Sequence, residues 1–439
     1  MRYIGLDLHK QSLEVCALDG RGERLFRMTV ACDRAALGEF ARKHLRKTDR
    51  VALEATTNTW AVAEILRPFV AEVVVGNPLQ IKAIAQAKVK TDKIDAEVLA
   101  HLLRCDYLPA VWHPDEDTQR LRRLTTVRAG LVGDRTRLKN RVQSLLAQLL
   151  IEPPVNVLFT RQGLSWLRSA DLPADARETI DRYLRLYEAV ERELQQVEDQ
   201  LMALAHASHQ AKLLMTLPGV AHGVAMSLLA ALGDLSRFED GDHAASYLGL
   251  TPTTRQSGGK CYHGHITKAG CPQTRAMLTQ AAQHAAAHPG PIGAFFRRLR
   301  KRKGHNVAVM AVARKLVTVA YLMLKHNEPY RYAKPDTVRD KLNEVRRKAG
   351  QPAPARSMPA AGDRRKPAET PAGRLNAAYA RAKLPRSQSP AEWSAGERRG
   401  LDAAGVTGFA EEVHAPPIRG PRPRKVTAPK ARSRAKAAS

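Results

Sequence analysis

Two hydrophobic periods divide the first hundred residues. YIGLDLH (3–9), LEVCALD (13–19) and ERLFRMTV (23–30) are short β-prone runs, punctuated by the turn cluster DGRGE, and read as three successive strands. DRAALGEFARKHL (33–45) changes to helical spacing, RVALEAT (50–56) returns to strand, and NTWAVAEILRPF (58–69) is helical again. AEVVVGNP (71–78) is a strand stopped by Gly76-Asn77-Pro78, and two helical segments complete a unit spanning 1–110. Three strands followed by alternating helices and strands predict a mixed sheet with antiparallel hairpins on one side.

Residues 111–208 read differently. DTQRLRRLTTVRAGLVGDRTRLKNRVQSLLAQLL (117–150) repeats Leu, Val and Arg every three or four residues until Pro153-Pro154. In ADARETIDRYLRLYEAVERELQQVEDQLMALA (174–205), Ile180, Leu184, Leu186, Val190, Leu194, Val197 and Leu201 form an apolar seam with charged flanks. Two long helices broken by a Pro-containing loop predict an antiparallel coiled-coil arm for dimerisation. A linker packed on its own domain is the bland alternative. Residues 209–332 form a mainly helical domain, interrupted by a Gly- and Thr-rich stretch at 249–270. From 333 to 439 Ala, Pro, Arg and Lys dominate, with 24 basic against 10 acidic residues. That segment is expected to be disordered, its end RGPRPRKVTAPKARSRAKAAS acting as an electrostatic tether to nucleic acid. The fold class is therefore α/β plus all-α, and the strand and helix order of the first unit is that expected of a ribonuclease H-like fold.

Charge narrows the partners. The 439 residues carry a formal net charge of +28 and a pI near 10.3, which favours a polyanion, most commonly nucleic acid. No membrane is expected: the longest apolar run, VAVMAVARKLVTVAYLML, is broken by Arg314 and Lys315. MRYIGLDLHK lacks the order of a signal peptide. Five cysteines (16, 32, 105, 261 and 271) suggest no disulfide framework, which points to a reducing cytoplasm.

The candidate chemistry begins with carboxylates. Asp7 sits centrally in the first strand and Glu54 ends the fourth. If those strands are neighbours, both side chains open onto one edge of the same surface. Asp92 and Asp95, spaced i, i+3 at a helix start, point the same way. Acidic residues there also complement the helix dipole with no further role. Four carboxylates gathered together would repel unless hard cations neutralised them. Mg²⁺ suits oxygen-only ligands, and paired ions can clamp both oxygens of a phosphoryl displacement.

GLDLHK, LEAT and KTDKIDA, in this order and spacing, resemble the DEDD domain of the insertion-sequence family 110 transposases, whose fold is like that of the Holliday-junction resolvase RuvC. The resemblance spans residues 3–108 and implies that Asp7, Glu54, Asp92 and Asp95 form a catalytic, Mg²⁺-binding tetrad. EATTNTW departs where relatives often carry a Gly, which is expected to alter a loop without removing a ligand.

In LLMTLPGVAHGVAMSLLAALGDLSRF (213–238), LPGV with Gly223 resembles a helix-hairpin-helix turn able to aim N–H groups at a phosphate. A glycine turn between packed helices explains it equally well. Further on, Ser257 precedes two glycines, between Arg255 and Lys260. Glycines permit close approach, the cations can hold a phosphate, and a serine hydroxyl can attack phosphorus. Taken alone, QSGG is a common flexible loop. LPGV, GDLSRF, YLGLTP, QSGG, ITKAG and the helix near Arg275 are similar to the C-terminal domain of the same family, over about 212–290. That resemblance implies that Ser257 is the nucleophile. KCYHGHITKAGC departs where relatives more often show Arg and Asn. Cys261, His263, His265 and Cys271 could ligate zinc in principle, but their spacing fits no standard finger, and histidines near a phosphate backbone are the preferred reading. Lys268 and the run Arg297, Arg298, Arg300, Lys301, Arg302 and Lys303 are expected nucleic-acid contacts; Phe295 and Phe296 are expected in the core.

The resemblance implies a recombinase acting on donor and target DNA, guided by a bridge RNA encoded by the element. It also implies dimers that pair into tetramers and a centre composed from two protomers. The rivals are a RuvC-like nuclease using metals and water, a nucleic-acid-binding protein with an idle fold, and a related invertase such as those that flip pilin genes.

Overall fold

A computed structural model of the chain describes residues 1–84, 92–351 and 373–416. They divide into two units, one ending at Asp115 and the other beginning at Glu116.

In the first unit β1 (Tyr3–Leu8), β2 (Ser12–Leu18) and β3 (Arg24–Ala31) are followed by α1 (Arg34–His44), β4 (Arg50–Glu54), α2 (Thr59–Leu66), β5 (Glu72–Gly76), α3 (Pro78–Ile84) and α4 (Asp92–Arg104). The strands lie in the order β3-β2-β1-β4-β5. β1–β2 and β2–β3 are antiparallel; β1–β4 and β4–β5 are parallel. Strand alternation decides what each face meets. Ile4, Leu6, Leu8, Val51 and Leu53 are buried with Leu37 and Phe40 of α1 and Val62 and Leu66 of α2. The opposite face presents Cys16 and Leu18 to Ala96 and Ala100, and Ala52 to Leu99 and Leu103, all on α4. Gly5 sets how closely α4 approaches. A Cβ there would fall 1.9 Å from the Ala96 carbonyl oxygen and 2.6 Å from the Ala100 nitrogen. The backbone of α4 therefore rests on β1, which positions its first turn.

The second unit opens with α5 (Glu116–Gln148), α6 (Arg161–Ser169) and α7 (Ala174–Ala207). α5 and α7 run antiparallel: Arg128 pairs with Glu198, Arg135 with Glu191, and Lys139 lies over the Tyr187 ring. The distal end has its own core of Val142, Leu146, Leu158, Leu167, Ile180 and Leu184. The expected seam is corrected at one position. Leu186 is 53% exposed and Tyr187 is buried, because the interface follows i, i+3, i+4 steps (Ile180, Leu184, Tyr187) and leaves 186 outside. Burial alone would raise the Glu198 carboxyl, but hydrogen bonds from His222 and Arg128 hold it at about 2.

α8 (His209–Leu214), α9 (His222–Leu232) and α10 (Gly241–Tyr247) precede a hairpin of β6 (Pro252–Ser257) and β7 (Lys260–Ile266). α11 (Pro272–Ala286), α12 (Pro291–Lys303) and α13 (His305–His326) follow. α13 is long and apolar enough by composition to cross a membrane. Its apolar side, including Val312, Leu316, Val317 and Ala320, lies in the core of this unit. The LPGV turn between α8 and α9 has a packing explanation: Gly219, at φ 75°, leaves 2.1 Å between a would-be Cβ and the Ala281 carbonyl oxygen. Leu217 and Val220 are buried there.

Over the described residues 333–351 and 373–416 the expectation of disorder is corrected, while 352–372 lie outside the described residues. α14 (Pro335–Lys348), α15 (Arg374–Arg381), α16 (Ala395–Ala403) and α17 (Thr407–His414) are ordered helices. Tyr379 and Leu375 are fully buried in the main core, and Trp393 and Leu401 form a smaller one. Sparse apolar residues suffice here because they dock onto an existing core and need not build one. The terminal tether lies outside the described residues. Lys341 of α14 donates from Nζ to the carbonyls of Met215, Leu217 (2.9 Å) and Val220 (2.8 Å), tying off the LPGV turn. Lys341→Met should cost about 3 kcal/mol, because three buried acceptors lose the donor they share. The check is a fall in the thermal midpoint of this unit, of roughly 5 °C.

Candidate active site

Asp7 is the buried member of the carboxylate set, 9% exposed. Gly5 and Asp7 alternate onto the α4 face, so Asp7 points toward the start of that helix. Continuing the β1–β4 register beyond Leu6 and Leu53 brings Glu54 level with Asp7 on the same face. Asp92 and Asp95 occupy the first turn of α4. Lys90 and Thr91 of the KTDKIDA stretch lie outside the described residues.

Ligand atoms of Asp7, His9 and Asp92 all lie within 4.8 Å of one another. His9 Nε2 stands 3.2 Å from Asp7 Oδ2 and 3.1 Å from Asp92 Oδ2. Burial, and then the charges of Asp95 and Asp92, push the Asp7 carboxyl upward against the opposing pull of His9. The structure thus brings Asp7 and Asp92 together and puts Asp95 within electrostatic range. Glu54 shares the face without entering the tight group.

This donor set fits a hard divalent cation. A buried carboxylate crowded by like charges costs free energy that a cation would recover. His9 now occupies the position between two carboxylates where such an ion would find its ligands.

Two residues missed in the sequence belong to this surface. His9 is the first; the DLH order placed it one alternation beyond Asp7, which was the available signal. Glu14 is the second. It faces Asp7 directly across the β1–β2 pair, and opposed like charges on an antiparallel ladder repel. Thr29 Oγ1 donates to Glu14 Oε1 at 2.6 Å, while the buried Oε2 has no partner among the described residues. The loop after Glu54 supports the site from behind: Asn58 Nδ2 donates to the His9 carbonyl at 3.2 Å and to Cys32 Sγ at 3.1 Å.

In the second unit Ser257 ends β6, next to Gly258 and Gly259 at φ 55° and 76°. Two positive-φ residues make a tight hairpin turn that leaves the serine exposed at its tip. Arg255 and Lys260 are exposed beside it on the ribbon; Lys268 at the ribbon's base and Arg297, Arg298, Arg300, Lys301, Arg302 and Lys303 at the end of α12 are exposed as well. Between Asp242 and Glu328 the chain contains no Asp or Glu at all. Phe296 is buried and Phe295 packs against the core, as expected. The zinc reading finds no support among the described residues. Cys271 donates to Gln273 and accepts from Thr274 at the start of α11, whereas Cys261, His263 and His265 lie along the exposed β7. All five cysteines are free.

Comparison with known proteins gives two family matches. A DEDD transposase model of the IS110 group matches residues 4–151, and a model described as transposase IS116/IS110/IS902 family matches residues 211–297. The insertion element IS116 44.8 kDa protein of Streptomyces clavuligerus is 27% identical over 392 residues, covering 76% of this chain and 97% of its own. The pilin gene-inverting protein of Moraxella bovis is 25% identical, covering 75% and 97%. The transposase of insertion sequence element IS1111A from Coxiella burnetii is 24% identical, covering 75% and 92%. The first matched region contains Asp7, Glu54, Asp92 and Asp95, the second contains Ser257, and the chain belongs to the IS110 family of insertion-sequence transposases.

Proposed function

We propose that this transposase breaks and rejoins DNA through a covalent serine intermediate, with a Mg²⁺-binding carboxylate centre of RuvC-like type in its first unit. The observation that carries the reading is the approach of Asp92 to buried Asp7, with Asp95 within electrostatic range. When bound there, Mg²⁺ supplies Lewis-acid stabilisation of charge on phosphate oxygens. Asp7, Asp92, Asp95 and Glu54 would hold it, and His9 would turn aside from the carboxylates it now bridges.

Ser257 forms an Oγ–P bond as the P–O bond to the leaving deoxyribose oxygen breaks, and the hydroxyl proton passes to that oxygen. Attack by a DNA hydroxyl reverses the exchange and restores the serine. Arg255 and Lys260 hold the phosphate and balance the charge that develops on it. The phosphodiester energy is retained in the protein–DNA bond, so rejoining needs no external energy source.

Partner choice follows from the same reading. The basic surface engages donor and target DNA, and a bridge RNA selects them by base pairing while the protein senses backbone shape. The α5–α7 arm serves dimerisation, with dimers assembling to tetramers. Incubating the purified protein with element-end DNA, its copurifying RNA and MgCl₂ tests the reading. Rejoined strands with no net loss of phosphodiester bonds are expected; free ends alone would support the metal-and-water nuclease instead. The Moraxella relative favours inversion as a second reading, and a product flipped in place distinguishes it from an inserted one.

A further inference from the structure

The hairpin carrying Ser257 has a feature that phosphate chemistry alone does not use. Cross-strand partners share a face, so the register Ser257↔Lys260 and Arg255↔Tyr262 places all four side chains on one side of the ribbon. The other side carries Thr254, Gln256, Cys261 and His263. Tyr262 is 70% exposed, and no other aromatic ring or cation among the described residues stacks on it. Its ring lies toward Gly264, where an added Cβ would meet Tyr262 Cε1 at 3.8 Å. Diagonal neighbours on such a ribbon are about 7–8 Å apart, a span that a phosphate and the base of an adjoining nucleotide can bridge.

The base of the ribbon is fixed while its tip is free. Thr267 N–H bonds to the Thr251 carbonyl at 2.9 Å, and Arg275 Nη1 donates to the carbonyls of Leu248 (3.1 Å) and Ala269 (2.7 Å). Nothing lies within 4 Å of a would-be Cβ on Gly258 or Gly259. A large exposed aromatic beside two cations, on an acid-free ribbon, matches the combination that binds unpaired nucleotides: phosphates on the cations, a base on the ring.

We propose that Tyr262 is a substrate-positioning residue whose ring stacks on a nucleobase next to the phosphate that Ser257 attacks. The proposal rests on the serine reading of the site. The ring supplies a sequence-tolerant platform, and Arg255 and Lys260 fix the flanking phosphates, so the scissile bond is presented to Oγ.

The test uses full-length protein carrying Ser257→Ala, so that stacking is measured with the proposed nucleophile removed, and element-end DNA bearing 2-aminopurine at each position flanking the mapped cleavage site. One position should show strong fluorescence quenching. Adding Tyr262→Phe should preserve it. Adding Tyr262→Ala should abolish it and weaken binding roughly five- to hundredfold, with the thermal midpoint unchanged. Unaltered quenching and affinity in the Tyr262→Ala protein would overturn the proposal, as would a Tyr262→Phe protein behaving like Tyr262→Ala, which would assign the effect to the hydroxyl. In the Ser257-intact background, a covalent adduct persisting through Tyr262→Ala with normal yield and rate would also count against it. Failure of the serine reading would show differently, as an adduct that survives Ser257→Ala.

Discussion

Ser257→Ala is expected to abolish the protein–DNA adduct and to lower recombination by at least about 10³-fold, with DNA binding nearly unchanged. The serine is exposed at the tip of a two-glycine turn, so its removal leaves no cavity and disturbs no packing. Under the proposed mechanism the only thing lost is the oxygen that would form the bond to phosphorus, and removal of a nucleophile costs activity on that scale. Gel-shift affinity and adduct yield, measured side by side, separate the two. A variant that binds normally and still forms adduct would move the nucleophile elsewhere.

The second large effect concerns Asp7. Asp7→Asn should eliminate strand cleavage while leaving the metal-free protein at least as stable as the parent. Burial and the neighbouring Asp95 and Asp92 charges raise the folded-state carboxyl above its ordinary value. The ionised form is thus disfavoured in the folded chain, and at neutral pH it subtracts from stability. A neutral amide removes that penalty. Cation-dependent stabilisation should disappear at the same time: the parent should gain about 2.7 kcal/mol at one hundred times its dissociation constant for Mg²⁺, and the variant close to none. Thermal melts with and without MgCl₂ read both quantities without any catalytic assay.

Much of this architecture is legible from period alone. The five strands and first four helices follow alternation and turn residues, since the central strands face a layer of helix on either side and each layer dictates its own residues. The parallel placement of β1 beside β4 then makes Asp7 and Glu54 neighbours, and the Asp92–Asp95 spacing fixes their common direction. Other features depend on distance in space. Glu14 looks like an ordinary exposed position in LEVCALD until pairing sets it opposite Asp7. His9 reads as a strand end until α4 brings Asp92 to it. The segment after 333 has too few apolar residues to fold alone, yet Leu375, Tyr379 and Trp393 find pockets on a core built by other helices. Leu186 and Tyr187 exchange roles because the arm's interface is selected by the partner helix, which a single-helix pattern does not contain.

The central claim is that carboxylates gathered on the sheet and the hydroxyl at the hairpin tip act on one DNA strand by way of a protein–DNA bond. Peptide mapping by mass spectrometry of the adduct trapped from wild-type protein, its copurifying RNA, element-end DNA and Mg²⁺ tests it most directly. A single nucleotide-modified peptide containing Ser257, absent when Mg²⁺ is chelated, is the predicted result. Efficient strand exchange with no adduct, or with the modification on another side chain, would contradict it.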